Sequence, residues 1–319
     1  MLGLTPRSAL RQAYSGCASR VRLPTRASAP VPGRLLAATC SHFSTVPLAY
    51  ELHEPAKPVA DKQTSPIIFM HGLFGSKKNN RTMSKVLARD LGRHVYALDL
   101  RNHGDSPHDQ KHDYTVMAAD VADFIRQHGL RDPTLIGHSM GAKTAMVLAL
   151  DQPDLVANIV AVDNAPVDAR LSSEFPRYIQ AMRKIDEANT TRQAEADRIL
   201  EPYEPSLTIR HFLLGNLHRP GAARGDSTQK FRLPLATLGR SLDHLGDFPY
   251  KNPADARFVK PALFVRGTKS KYVPDEVIPL IGQFFPRFEL VDVDAGHWVI
   301  SEKPEAFREA VLRFLEPKE

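Results

Sequence analysis

The chain has 319 residues, of which 42% are hydrophobic and 24% charged, with a net charge of +6. That is enough apolar sequence for a large buried core, while no apolar run reaches the ~18 residues of a membrane-spanning helix. The basic excess implies no nucleic-acid partner: Arg7, Arg11, Arg20, Arg22, Arg26 and Arg34 all lie in residues 1–45, and the remainder balances 36 basic against 36 acidic residues.

Residues 1–45 contain no Asp, Glu or Lys, are rich in Ser and Ala, and place Leu10, Ala13, Tyr14 and Cys17 on one helical face with Arg7 and Arg11 on another. This composition predicts a mitochondrial transit peptide, and hence a mitochondrial protein of the matrix or inner-membrane surface; a secretory signal would need a continuous apolar core. Both cysteines, Cys17 and Cys40, fall in this leader, so the rest of the chain carries no disulfide.

The remainder, residues 46–319, reads as one catalytic domain. Residues 48–53 alternate as an edge strand, and the proline-marked residues 54–65 form a loop. Buried strands are predicted at residues 67–70 and 95–100, separated by a helix over residues 81–91. Asp113 caps a helix carrying Val116, Val121, Phe124 and Ile125. An apolar strand at 133–136, a helix at 142–150 and another apolar strand at 159–162 follow. Strands apolar on both faces, alternating with helices, predict an α/β fold with a mostly parallel sheet covered by helices. From about residue 167 to residue 253 the pattern breaks into an Arg- and Glu-rich stretch with helical spacing (Tyr178, Met182 and Ile185, then Ile209, Phe212 and Leu213), an inserted helical cap. The sheet resumes at 262–265 and 288–291, and a last helix spans 305–315.

Between the strand at 133–136 and the helix at 142–150 stands Gly137-His138-Ser139-Met140-Gly141. Strand, G-x-S-x-G, helix is the context of a nucleophile elbow: the serine sits on a sharp turn whose crowding requires the two glycines, and the helix N-terminus favours developing negative charge. A serine hydroxyl needs a base, and the base needs a group that fixes its tautomer. His297, on a loop just after the final strand, fits the base. For the acid, Asp163 ends the strand after the elbow unit, with Asp275 and Asp243 as alternatives; the turn after the penultimate strand, Gly267-Thr268-Lys269-Ser270-Lys271, offers no carboxylate. Backbone N–H groups of Met140 and Leu73 would hold the oxyanion, His71 braces the Leu73 loop, and His71, Phe74, His138 and Trp298 are candidates to line the substrate pocket. No C-x-x-C, H-E-x-x-H, G-x-G-x-x-G or P-loop pattern occurs, so neither a metal nor another cofactor is implied.

His71-Gly72-Leu73-Phe74-Gly75-Ser76, Asp99-Leu100-Arg101-Asn102-His103-Gly104-Asp105-Ser106, the elbow with Ala142-Lys143, and Ala295-Gly296-His297-Trp298 together resemble the alpha/beta-hydrolase superfamily. More narrowly, they resemble its branch of mitochondrial hydrolase-domain proteins, bacterial short-chain esterases and yeast ethanol acetyltransferase. Ala142 stands where that branch often has glycine. The resemblance implies a Ser-Asp-His triad with its acid after the strand that follows the elbow, which matches Asp163. It also implies a small-molecule ester, thioester or acyl-CoA substrate, handled by hydrolysis through an acyl-enzyme or by acetyl transfer to an alcohol. A reading of another class, a mitochondrial interaction protein that protects an enzyme complex, leaves room for a protein partner.

Overall fold

Short apolar runs bounded by turn residues become the central strands of one sheet. The computed structural model describes residues 44–55, 65–169, 171 and 173–316, which belong to the unit Phe43–Glu319. The predicted leader, apart from residues 44 and 45, lies outside the described residues. In chain order come β1 (Tyr50–His53), β2 (Ile67–Met70), α1 (Lys77–Leu91), β3 (Val95–Leu98), α2 (Tyr114–Gln127), β4 (Thr134–His138), α3 (Met140–Asp151) and β5 (Asn158–Val162). After the insertion, β8 (Ala262–Gly267), α9 (Ile278–Phe284), β9 (Phe288–Val293), α10 (Val299–Glu302) and α11 (Pro304–Leu315) complete the core.

The strand order is β1-β3-β2-β4-β5-β8-β9, and only β1 runs antiparallel. Central strands β2 and β4 are buried at every position because both faces are covered. Ile68, Met70 and Leu135 face the core shared with α2 and α3, while Ile67, Phe69 and Ile136 face the one shared with α1 and α11. The parallel register puts the ends of β2, β4, β5 and β8 along one edge, pairing Met70 with Gly137, His138 with Val162, and Val162 with Val265. Loops leaving that edge carry the candidate site.

Several boundaries differ from the sequence reading, two of them for a reason visible in the contacts. Helix α1 starts at Lys77, four residues earlier than predicted. Its first turn, Lys77-Lys78-Asn79-Asn80, is polar and shows no apolar period; the start is set by caps, with the Lys77 N–H donating to Asp99 Oδ1 (2.6 Å) and the Ser76 N–H to Asn79 Oδ1 (2.7 Å). Strand β3 stops at Leu98 rather than residue 100, because the Leu100 N–H turns to donate to His71 Nε2 (3.0 Å).

Between β5 and β8 the chain forms α4 (Glu174–Ala188), α5 (Gln193–Leu200), α6 (Leu207–Leu214), the ribbon β6 (Leu217–His218) with β7 (Lys230–Phe231), α7 (Leu235–Arg240) and α8 (Leu242–Gly246). Helix α4 buries Tyr178, Met182 and Ile185. The return from this cap is gripped from the core: Tyr114 Oη donates to Leu245 O (2.8 Å) and Lys143 Nζ to Asp247 O (3.0 Å). Lys143 is almost wholly buried on α3, and that burial lowers its pKa to about 8. No helix among the described residues is long and apolar enough to cross a membrane.

Candidate active site

The tight exit from β4 into α3 sets the geometry. Ser139 adopts φ 53°, a left-handed conformation costly for a non-glycine residue. A Cβ on Gly137 would stand 2.1 Å from Gly141 O, and one on Gly141 would stand 2.7 Å from His71 O, so neither position has room for a side chain. Positive φ recurs where neighbouring strands end: Phe74 after β2, Asn102 after β3 and Asp163 after β5.

These turns bring three side chains together. Ser139 Oγ lies 3.0 Å from His297 Nε2, and His297 Nδ1 lies 2.7 Å from Asp163 Oδ2. A carboxylate facing Nδ1 keeps the proton there, leaving Nε2 to accept from the serine hydroxyl. Asp163 is fully buried, and its carboxylate also accepts from the Gly267 N–H (3.0 Å) and from Ser270 Oγ (2.5 Å). The alternative carboxylates lie elsewhere. Asp275 is exposed and paired with Arg266, and Asp243 is exposed in the first turn of α8.

Two rings hold His297 in place. Tyr272 stacks on it, with centroids 4.2 Å apart and planes at 27°. His138 Nε2 donates to the His297 carbonyl (2.7 Å), tying the loop of His297 to the residue before Ser139. Burial lowers the His138 pKa to about 4, so its ring is neutral at neutral pH.

On the opposite side of Ser139, the Gly75 N–H donates to Gly72 O (2.9 Å), closing a β-turn with Leu73 second and Phe74 third. His71 Nδ1 also donates to Gly72 O (2.8 Å), with its tautomer set by the Leu100 N–H bound at Nε2. Gly72 C=O and Leu73 N–H share one peptide plane, so fixing the oxygen fixes the direction of the Leu73 N–H. Neither the Leu73 nor the Met140 N–H donates to another group among the described residues, and each is free to meet a ligand oxygen. His71 is fully buried, and burial lowers its pKa: it braces the loop as a neutral ring.

A cavity of about 630 Å³ opens beside His138 and Trp298, between α1, the cap helix α6 and residues 298–304. His71, His138 and Trp298 line it, as do Met83, Ile209 and Phe212. Phe74 does not line this cavity. Its ring is buried and packs against Phe175, with centroids 5.9 Å apart. No group of three or more His, Cys, Asp or Glu suited to a metal occurs among the described residues.

Sequence reasoning passed over four residues that shape the site: Ser270, Tyr272, His103 and Asn216. Ser270 left a trace as a hydroxyl in the turn where a carboxylate was sought, and His103 as part of a motif that carries the family resemblance. The others act through contacts between distant segments.

Comparison with known proteins fits this geometry. A family model described as alpha/beta hydrolase fold matches residues 65–304. The chain is 44% identical over 272 residues to a probable alcohol acetyltransferase of Saccharomyces cerevisiae, covering 81% of this chain and 79% of that protein. It is 38% identical over 277 residues to the sn-1-specific diacylglycerol lipase ABHD11 of Xenopus laevis, covering 85% and 84%. A solved marine microorganism esterase is similar with a TM-score of 0.76 at 30% identity, covering 85% of this chain and 100% of that one.

Proposed function

The chain belongs to the alpha/beta hydrolase family, and on that premise we propose that it is a serine hydrolase acting on esters or thioesters through an acyl-enzyme on Ser139. The observation that carries this reading is the Ser139–His297–Asp163 chain of hydrogen bonds at 3.0 and 2.7 Å, built on the elbow. His297 Nε2 takes the Ser139 proton as Oγ attacks the acyl carbon. The Leu73 and Met140 N–H groups receive the oxyanion, and Asp163 stabilises the imidazolium. Collapse expels the alcohol or thiol, which leaves with the proton from His297. Water, deprotonated by the same ring, then releases the acid.

The yeast relative's name supports a second outcome of the same intermediate. If an alcohol occupies the cavity beside Trp298 and Phe212 in place of water, the acyl group passes to it and an ester forms. Hydrolysis is the broader reading, and the ratio of acid to ester product in dilute ethanol separates the two.

The test is intact-protein mass spectrometry with a fluorophosphonate probe. The wild-type chain is expected to gain one adduct on Ser139. The Ser139→Ala variant is expected to gain none and to lose about 10⁵–10⁶-fold in turnover of a short ester. An alanine variant retaining more than a few per cent of activity would falsify the reading.

A further inference from the structure

Phe74 is gripped at both ends of its backbone by side chains from two other parts of the chain. Its N–H donates to His103 Nε2 (3.1 Å), and its C=O accepts from Asn216 Nδ2 (2.8 Å). Both bonds are buried. His103 comes from the loop after β3, whereas Asn216 comes from the cap, two residues beyond α6.

The grip answers a specific difficulty. Phe74 is the third residue of the Gly72–Gly75 turn and adopts φ 62°, a left-handed position that such turns ordinarily fill with glycine. Phenylalanine there is strained and persists only where its surroundings over-determine it. If Phe74 relaxed, the turn would open, the Gly75 N–H would leave Gly72 O, and the Leu73 N–H would lose its aim. His103 is suited to its half of the grip: Nδ1 donates to Arg101 O (3.0 Å), so Nε2 presents a lone pair. Burial among His71 and His112 holds its pKa well below the ordinary value, so the ring stays neutral. Asn216 is anchored in turn, its own C=O accepting from the Arg232 N–H beside β7 (3.0 Å).

We propose that Asn216 and His103 are positioning residues for the oxyanion hole, and that the cap, through Asn216, completes the catalytic site rather than merely roofing it. The inference rests on the acyl-enzyme reading above. Helix α6 also supplies Ile209 and Phe212 to the substrate cavity, and Phe212 packs edge-on against Trp298 with centroids 4.7 Å apart. The helix that walls the cavity therefore runs directly into the residue that holds the Phe74 carbonyl.

The test compares wild type, Asn216→Asp, His103→Leu and His103→Gln in the full chain, each checked by circular dichroism. Read-outs are kcat and KM on one short p-nitrophenyl ester, and the affinity of a trifluoromethyl ketone, whose adduct places an oxyanion in the hole. Asp at 216 keeps the shape of Asn but, ionised, offers no donor. Complete loss of one oxyanion donor costs about 10²–10³-fold, so a misaimed one should cost about 10–100-fold in kcat, with a parallel loss of ketone affinity and KM within about 2-fold. Because a protonated carboxyl can again donate to Phe74 O, the ratio of Asn216→Asp to wild-type kcat should rise as pH falls. His103→Leu should behave like Asn216→Asp, while His103→Gln, whose Oε1 can accept in place of Nε2, should stay within about 5-fold of wild type. Unchanged kcat and ketone affinity in Asn216→Asp, or a change in KM alone, overturns the proposal. If Asn216→Asp is misfolded, the His103 pair decides, and equal activity of His103→Leu and His103→Gln overturns it. A Ser139→Ala control separates the two levels: residual activity there removes the acyl-enzyme reading itself, whereas a dead control beside a normal Asn216→Asp removes only the grip.

Discussion

The Ser270 hydroxyl lies 2.5 Å from Oδ2 of Asp163, the same oxygen that His297 Nδ1 meets at 2.7 Å. The turn after β8 therefore contributes a donor to the carboxylate that β5 supplies. One oxygen thus collects two donors in a fully buried place, where a charged acceptor needs every bond it can make.

That relationship predicts a transplantable acid. Asp163→Asn should lower kcat by about 10⁴-fold, the scale for losing the charge and tautomer control behind a triad histidine. Asp275→Asn should stay within a few-fold of wild type, since Asp275 is exposed on the far side of Arg266. Adding Ser270→Asp to Asp163→Asn places a carboxylate next to the same ring nitrogen and should recover at least about 10-fold of the loss. Ester hydrolysis by the three variants, measured side by side, checks this. A crippled Asp275→Asn beside a normal Asp163→Asn would reassign the acid.

A second prediction concerns acid. Burial lowers the pKa of His138 to about 4 and of His112 to about 3, and lowers those of His71 and His103 as well. In the unfolded chain these rings titrate near the ordinary value of about 6.5. The folded state is thus the poorer proton binder below that pH. Its stabilisation by neutral histidines is complete above about pH 6.5 and is lost as pH falls toward the folded values. The lowering at His138, from about 6.5 to about 4, corresponds to about 3 kcal/mol when fully expressed. The melting temperature should therefore begin to drop near pH 6.5, and His112→Gln should flatten that slope. A melting temperature that is level from pH 7.5 to 5 contradicts the assignment.

The cavity yields a third. Phe212 forms its wall from the cap side, and Met83 from α1. Phe212→Ala should raise the ratio of kcat/KM for an octanoyl ester over an acetyl ester by about 10-fold, and Met83→Trp should lower it, since each methylene in such a pocket is worth about 1–3 kcal/mol. Kinetics on a chain-length series provide the measurement. Ratios unmoved by both changes would place the substrate elsewhere.

The leader yields a fourth. A fusion of residues 1–45 to a fluorescent protein should enter mitochondria, and the organellar chain should begin between residues 35 and 48. N-terminal sequencing reads this directly. An intact Met1 on protein recovered from the cytosol would count against import.

How much of this was legible in the sequence depended on what each residue's role is made of. The turn at Ser139 was readable because backbone collisions at Gly137 and Gly141 are local and admit no other residue. His297 was readable from its place after the last strand. Asp163, Asp275 and Asp243 could not be separated by spacing alone, because the distance from each to His297 depends on strand order, and β5 lies beside β8 only in the folded sheet. The first turn of α1 was missed because caps, not periodicity, start it. Two-residue strands such as β6 and β7 carry no period at all. Asn216 was invisible for the deepest reason: it acts on Phe74, 142 residues away, through a single amide hydrogen.

The left-handed residues at the strand ends bear on how this protein would respond to laboratory evolution. Phe74, Asn102, Ser139 and Asp163 hold positive φ angles without being glycine. Relieving such a conformation is worth about 1–2 kcal/mol, from which the looser unfolded chain of a glycine variant subtracts about 0.4–1 kcal/mol. Ser139→Gly can thus come out neutral or more heat-resistant while abolishing turnover. A screen that rewards survival at high temperature alone would drift toward glycine at position 139 and breed sturdy, inert scaffolds. Any programme to harden this chain has to score catalysis in every round.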